Sequence, residues 1–462
     1  MKAINKIFAL LLLAGIGFGC NKKLDIRPEQ NITPEQITTG NDVKAVLFGA
    51  YSLLQGPGGF GEGYILPADL LANSNHIGFV GTFAPYRDLA AKRQISTNSV
   101  AATIWANSYS IINIANTVID KLPLVDESER DIVDGEAKFF RGVAYLQLVN
   151  YFAQPYFSNP TGNLGVPIIT QPTYQYDPVA SKVSRNTVAQ VYAQILADLN
   201  DAKDKLEEVS DVGRATRFSA LGFLSRVHLN MRNYQLAAES ADEVIESGAF
   251  RLNASYLNAF NNTNYSSEDV FGILQTSQSN SGTSNNGMNT FYAAYSLEPP
   301  FISGRGDVQP NPAYYNLFEN SDFRGGFLYE GYNIAGVEGI YTRKFQQFYR
   351  VIPVIRLAEL YLTRGEANLR GGTSIGPNSP AADLDEVRFR AGASFISRPI
   401  TPDDFVQERF RELGFEGDRL WTLKRLGLTV GGRPATDPIL VLPIPQRETD
   451  VNKNLVQNPG YL

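Results

Sequence analysis

Arg217-Phe218-Ser219-Ala220-Leu221-Gly222-Phe223-Leu224-Ser225-Arg226-Val227-His228-Leu229-Asn230-Met231-Arg232-Asn233-Tyr234-Gln235-Leu236-Ala237-Ala238-Glu239-Ser240-Ala241-Asp242-Glu243-Val244-Ile245-Glu246-Ser247-Gly248 contains two helical periods and one break. In the first half Leu221, Leu224, Val227 and His228 recur at the spacing of one helix face. In the second, Ala237, Ala238, Ala241, Val244 and Ile245 do the same, and Gly248 supplies a natural stop. The break falls at Arg232-Asn233, with Tyr234 opening the second helix and small residues following it. Two short amphipathic helices joined this tightly read as one tetratricopeptide-like unit, which buries its apolar face only by stacking on neighbours.

Working outward, the same period appears elsewhere. Asp42 to Leu54 places Val43, Val46, Leu47, Ala50, Leu53 and Leu54 on a stripe. Trp105 to Leu122 carries Tyr109, Ile112, Asn116 and Ile119 on one face, and Pro123 ends it. Glu136 to Phe152 is apolar around much of its circumference, which predicts a buried helix. Ser184 to Leu206 runs helically after a cap at Ser184 or Asn186. Ile355 to Arg370 repeats the type, and Glu408 to Arg425 is a charged helical stretch broken near Gly414 and Gly417. Between them lie Gly56 to Ser99, Thr276 to Asn289 and Pro299 to Gly339, which alternate Gly, Pro, amides and aromatic rings. Such long irregular segments are functional or disordered, and their ring content favours function. The expected fold class is mainly α: a tetratricopeptide-like helical-repeat scaffold with long irregular loops and few short strands.

Composition narrows the function. The 462 residues hold 43% hydrophobic and 19% charged residues, enough for a real core. A net charge of −6 opposes binding to a nucleic-acid backbone. One Cys and two His leave no disulfide and no Cys/His zinc cluster, and no metal site or cofactor is expected. At the start, Lys2 and Lys6 precede an apolar run from Ile7 to Phe18 that stops at Gly19-Cys20. The run is too short to span roughly 30 Å of hydrocarbon as a helix, so it reads as a secretory signal. The lone Cys at its end makes residues 1–19 a lipoprotein signal and Cys20 the lipidated first residue of the mature chain.

Several blocks together resemble one family. Cys20-Asn21-Lys22-Lys23-Leu24-Asp25-Ile26-Arg27-Pro28 is similar to a lipidated entry. The Trp105/Tyr109/Ile112/Asn116 helix, Gly135-Glu136-Ala137-Lys138-Phe139-Phe140-Arg141 and Gly165-Val166-Pro167 follow. Ile355-Arg356-Leu357-Ala358-Glu359-Leu360-Tyr361-Leu362 comes next, then Glu408-Arg409-Phe410-Arg411-Glu412-Leu413-Gly414-Phe415-Glu416-Gly417-Asp418-Arg419, with Thr422 where Asp is common. Leu442-Pro443-Ile444-Pro445-Gln446 and Gln457-Asn458-Pro459-Gly460-Tyr461 end the chain. In order and coverage these resemble the SusD/RagB nutrient-binding outer-membrane lipoproteins. The resemblance implies about four tetratricopeptide helix pairs in a single domain over residues 20–462. Its parts would be a helical half to about 250, a loop-rich insert from about 251 to 350, and a C-terminal region from about 351. It implies a surface-exposed, lipid-anchored protein of the outer membrane and a SusC-like TonB-dependent barrel as partner. The ligand would be an oligosaccharide, with a peptide as the RagB-like alternative. A purely protein-binding repeat adaptor is the other reading.

Catalysis finds little support. Gly372-Thr373-Ser374-Ile375-Gly376 fits G-x-S-x-G but follows a helix, with both His upstream. Gly56-Pro57-Gly58-Gly59-Phe60-Gly61 fits G-x-G-x-x-G but follows a helix instead of a strand. Alternating Arg and Glu in Glu408–Arg419 read as internal ion pairs that lock the C-terminal segment to the scaffold. Binding needs only rings for the C–H face of a sugar and polar groups for its hydroxyl rim. The ligand-binding candidates are Asp69, Asn73, Asn75, His76, Phe83, Tyr86 and Arg87 in one loop, Trp105 after it, and Tyr292 and Tyr295 in the other. They form a platform if the two loops meet.

Overall fold

The computed structural model describes residues 34–72, 75–175, 177–297 and 302–461. The signal segment, Cys20 and Asn73 lie outside the described residues. Residues 1–38 form one unit, in which Pro34–Gln36 makes a single 3-10 turn, and residues 39–462 form a second, compact unit. The helices are α1 (Gly40–Gln55), α2 (Leu66–Ala72), α3 (Ala84–Ala90), α4 (Ser99–Lys121), α5 (Arg130–Phe152), α6 (Val188–Lys205), α7 (Arg217–Met231) and α8 (Tyr234–Glu246). After the insert, which holds α9 (Met288–Tyr292) and α10 (Pro312–Tyr315), come α11 (Leu357–Gly371), α12 (Pro380–Arg390), α13 (Pro402–Leu413), α14 (Asp418–Leu426) and α15 (Gln446–Val451).

Helix starts follow side-chain chemistry. Thr39, Thr187 and Thr216 each accept from the third backbone N–H of their helix while the residue there reaches back, a capping box in each case. The break between α7 and α8 is made by Arg232, whose φ of 61° turns the chain left-handed and aims its N–H at the carbonyls of His228 and Leu229. The two helices pack on each other, and α1, α4, α5, α6, α7 and α8 form a continuous stack. The chain then leaves for the insert and returns, so α11 packs on α8, with α12 and α13 against α11. Helix α5 is buried through nearly its whole length, as its apolar circumference predicts. Phe139, Phe223 and Phe271 meet edge to face at 5.1–6.0 Å in the centre of the stack. Each ring so buried contributes about 1.5–3 kcal/mol.

Strands are few and short. Three antiparallel pairs occur among the described residues: β1 (Ile77–Phe79) with β3 (Val308–Pro310), β2 (Asp269–Ile273) with β6 (Ile352–Arg356), and β4 (Leu328–Tyr332) with β5 (Glu338–Thr342). The pair β2–β6 is wholly buried and carries the chain from α8 back to α11. Among the described residues no helix is long and apolar enough to cross a membrane.

The charged block behaves as internal ion pairs. Arg356 Nη1 donates to Glu412 (2.9 Å) and Glu268 (3.1 Å), and its Nε donates to Glu416 (2.9 Å), with all of Arg356, Glu268 and Glu412 buried. Arg390 bridges Glu268 and Glu412 at 2.5 Å each. The cluster reaches further than the C-terminal segment: Arg324 and Lys344, from the insert, bind Glu408 and Glu416 at 2.6 Å. Burial is compensated because nearly every charge meets two or more opposite ones.

Candidate functional site

The two long loops do meet, through buried groups. Glu62 accepts from the Tyr86 hydroxyl (3.0 Å) and from the backbone N–H of Gly287. Asp69 accepts from the Tyr292 hydroxyl (2.6 Å) and from the N–H of Gly417 (3.1 Å), so one carboxyl ties α2, the insert and the C-terminal block together. Burial pushes Glu62 up from 4.5 to about 8 and Asp69 from 3.8 to about 7, against these hydrogen bonds, which lower both. The rings of Phe83 and Tyr86 pack edge to face on Phe291 at 5.6 and 5.1 Å. Glycines permit the approach: a Cβ on Gly61 would sit 2.6 Å from the Ser281 Cβ and 2.4 Å from the Gln55 carbonyl oxygen. The Gly56–Gly61 pattern is therefore a packing device, not a phosphate cradle. Ser374 lies exposed in a loop after α11 that the Asn368 side chain closes, which is no strand-to-helix elbow.

This assigns places to the expected binding residues. Asp69, Tyr86, Trp105 and Tyr292 are inside, at 3%, 6%, 4% and 0% exposure. Their expected contact with a ligand is corrected by that burial: the first, second and fourth join the loops, and Trp105 packs on Phe152 and Tyr109 at 5.0 and 4.9 Å. His76 is half-buried, edge-on to Phe410 at 5.0 Å, and Asn75 and Arg87 are exposed. Phe83 is half-buried with the Arg305 guanidinium 4.7 Å from its ring centre. Arg305 in turn donates to Thr82 (3.0 Å) and Asp307 (2.9 Å), so the Arg305-Gly306-Asp307 tripeptide is closed on itself. Tyr295 is 51% exposed. Its main chain bridges to Tyr332 of β4, bringing the insert's two halves together.

Beside that bridge opens the roomiest cleft described, about 660 Å³. Its floor is the outer face of the β4–β5 hairpin. Period-two alternation sends Tyr329 and Tyr341 inward, 6.0 Å apart, and Leu328, Glu330 and Tyr332 outward, opposite Thr342, Ile340 and Glu338. The Tyr329 hydroxyl accepts from the N–H of Ala294 (2.7 Å) and donates to its carbonyl (3.0 Å), fixing the neighbouring wall. Ser296, Tyr315 and Arg343 complete the lining. Rings for an apolar face, carboxylates to accept from hydroxyls and a guanidinium to donate make a surface suited to a polyhydroxylated ligand. Apart from Tyr295 at its edge, the sequence reading missed these residues. Their signal was the alternation of residues 328–332 and 338–342 around Asn333 and Gly336. Among the described residues no three His, Cys, Asp or Glu side chains gather to hold a metal ion.

Two family profiles match this chain: one described as "Starch-binding associating with outer membrane" over residues 26–229, and one described as the SusD family over residues 349–437. The chain belongs to the SusD family. It is 27% identical to SusD-like protein P2 of Formosa agariphila over the full length of both chains. It is 33% identical to the starch-binding protein SusD of Bacteroides thetaiotaomicron over 124 residues, 24% of this chain and 21% of that one. A SusD superfamily crystal structure from Bacteroides thetaiotaomicron superimposes with a TM-score of 0.79 at 26% identity, covering 91% of this chain and all of the other. The mainly helical fold of this SusD-family chain is thus that of solved members. The cleft lies in residues 230–348, between the two matched stretches.

Proposed function

We propose that this protein is a non-catalytic, lipid-anchored carbohydrate-binding protein of the outer membrane. In this reading it holds an oligosaccharide in the cleft over the β4–β5 hairpin and delivers it to a SusC-like TonB-dependent barrel. The observation that carries the reading is the cleft itself, which pairs outward Tyr332 with Glu330, Glu338 and Arg343 in a chain of this family. The printed names of its relatives, starch-binding among them, support the ligand class. The anchor is Cys20, and the surface around Tyr295 and Phe83, beside the cleft, is where the bound glycan would be covered.

Migration in native gels containing soluble starch, xylan, mannan or laminarin tests the binding. At least one polymer is expected to retard the wild type, and Tyr332→Ala with Glu330→Gln is expected to abolish the retardation. Retardation by none of the four, together with calorimetric binding of a tryptic peptide mixture, would replace the sugar by a peptide. Capture of a barrel partner unaffected by any ligand would leave a protein adaptor. Release of shorter sugars from any of the polymers would make the protein an enzyme.

A further inference from the structure

Three phenylalanines stand in water on another face of the protein. Phe389, Phe395 and Phe323 are 71%, 63% and 64% exposed. Phe has no polar tip to explain such exposure, and clustered apolar exposure marks a contact surface. Phe389 ends α12, and Phe395 lies in the connection to α13. Their ring centres are 6.1 Å apart with planes only 17° from parallel. Phe323 comes from the insert. Its N–H bonds the Ala391 carbonyl (2.8 Å), and its ring lies against Gly392, where a Cβ would approach to 2.6 Å. Gly392 has a φ of 72°, a conformation glycine adopts without strain, so this turn is shaped to lay Phe323 beside the other two.

The surroundings say what such a patch can take. The charges next to it are satisfied internally. Arg388 bonds Glu319 (3.1 Å), Glu408 (2.8 Å) and the Ser394 carbonyl, and Glu319 also accepts from the Ser394 N–H (2.7 Å). Arg398 is paired with Asp404 at 2.6 Å. The patch therefore offers near-parallel rings with hydroxyl-bearing Ser321 and Ser394 at the edge, and the charges bordering it are already paired. That suits an uncharged partner with apolar faces and hydroxyl edges better than an ionic one. Chain continuity links it to the cleft: Gly325, two residues after Phe323, is in the cleft lining.

We infer that Phe323, Phe389 and Phe395 form a second, auxiliary contact for a neutral polysaccharide, outside the cleft. The inference rests on the glycan-binding reading and extends it to a second face. Two weak contacts on one long polymer raise its apparent affinity, while a short oligosaccharide gains nothing from the second.

The test compares the full chain with Phe323→Ala/Phe389→Ala/Phe395→Ala and with Phe389→Tyr/Phe395→Tyr. The probes are the four polymers named above and the hexasaccharide cut from whichever polymer retards the wild type. Thermal melting verifies folding; exposed rings leave no cavity when truncated. The alanine variant is expected to lose about fivefold or more in polymer affinity, to keep hexasaccharide affinity within about twofold, and to be rescued by the tyrosines. Unchanged polymer affinity in the alanine variant overturns the auxiliary site and leaves the cleft standing. Failure of the wild type to bind any polymer overturns the parent reading and the auxiliary site with it. Loss of a wild-type dimer in light scattering, with polymer binding intact, assigns the patch to a second copy instead.

Discussion

Glu62 and Asp69 share one arrangement: a buried carboxyl takes a tyrosine hydroxyl on one oxygen and a backbone N–H on the other. In each case the donors come from a distant part of the chain. Burial disfavours the charged form more than two hydrogen bonds favour it, so the folded state holds a proton at Glu62 up to about pH 8 and at Asp69 up to about pH 7. Both values are raised above those of the unfolded chain. The stability they contribute is then full below the ordinary carboxylate range and is lost as pH rises through 7 to 8. The ion-pair carboxylates act in the opposite direction. Arg390, Arg356 and Arg324 outweigh the burial that raises Glu412 and hold it well below 4.5, so its contribution is lost only in acid. Thermal melting from pH 6 to pH 9 is expected to show the wild type losing stability and Glu62→Gln losing less, because the amide cannot ionise. Parallel curves for the two proteins across that range would refute the assignment.

At the scale of elements, the buried ion cluster decides whether the insert is rigid. Arg356 at the end of β6 faces Glu268 beside β2, Glu412 at the end of α13 and Glu416 in the turn after it, while Lys344 and Arg324 of the insert bind the same carboxylates. Arg356→Ala would leave these carboxylates short of their central cation, at a cost of about 3–5 kcal/mol. Urea unfolding should show that loss, and a change under about 1 kcal/mol would mean that Arg390 and Lys344 suffice. These elements also show what could be read in advance. Helices α4, α5, α7, α8 and α11 are long enough for their period to show, and the ion pairs followed from alternating Arg and Glu. Helices α2 and α3 hide in the Gly-rich segment because seven residues are too few to display a face. Strand β1 was invisible because its partner β3 lies over two hundred residues away, at Val308–Pro310. Asp69 looked like a loop residue offered to a ligand for the same reason: Tyr292 and Gly417, which claim it, are near only in space. Trp105, spaced with Tyr109 and Ile112, is the core residue that its helical spacing favoured.

For the whole molecule, the division between matched and unmatched sequence follows the division of labour. The family profiles cover the helical stack and the charged C-terminal block, while the cleft sits in the stretch between them. A scaffold of nearest-neighbour helix contacts tolerates a large excursion between α8 and α11, because those two helices still pack on each other. Binding and anchoring should then be separable. The proposed cleft lies in residues 296–343, whereas the proposed anchor is Cys20. A diacylated amino terminus supplies two chains, each buried CH₂ contributing about 0.8 kcal/mol, which holds a body with no membrane-crossing helix among its described residues. Cys20→Ser is expected to move the protein from the membrane fraction to the soluble fraction while leaving its retardation by polysaccharide unchanged. Labelling with radioactive palmitate should be present in the wild type and absent in the variant. Membrane retention of Cys20→Ser would place the anchor elsewhere, and loss of polysaccharide binding in the released protein would show that capture depends on the tether.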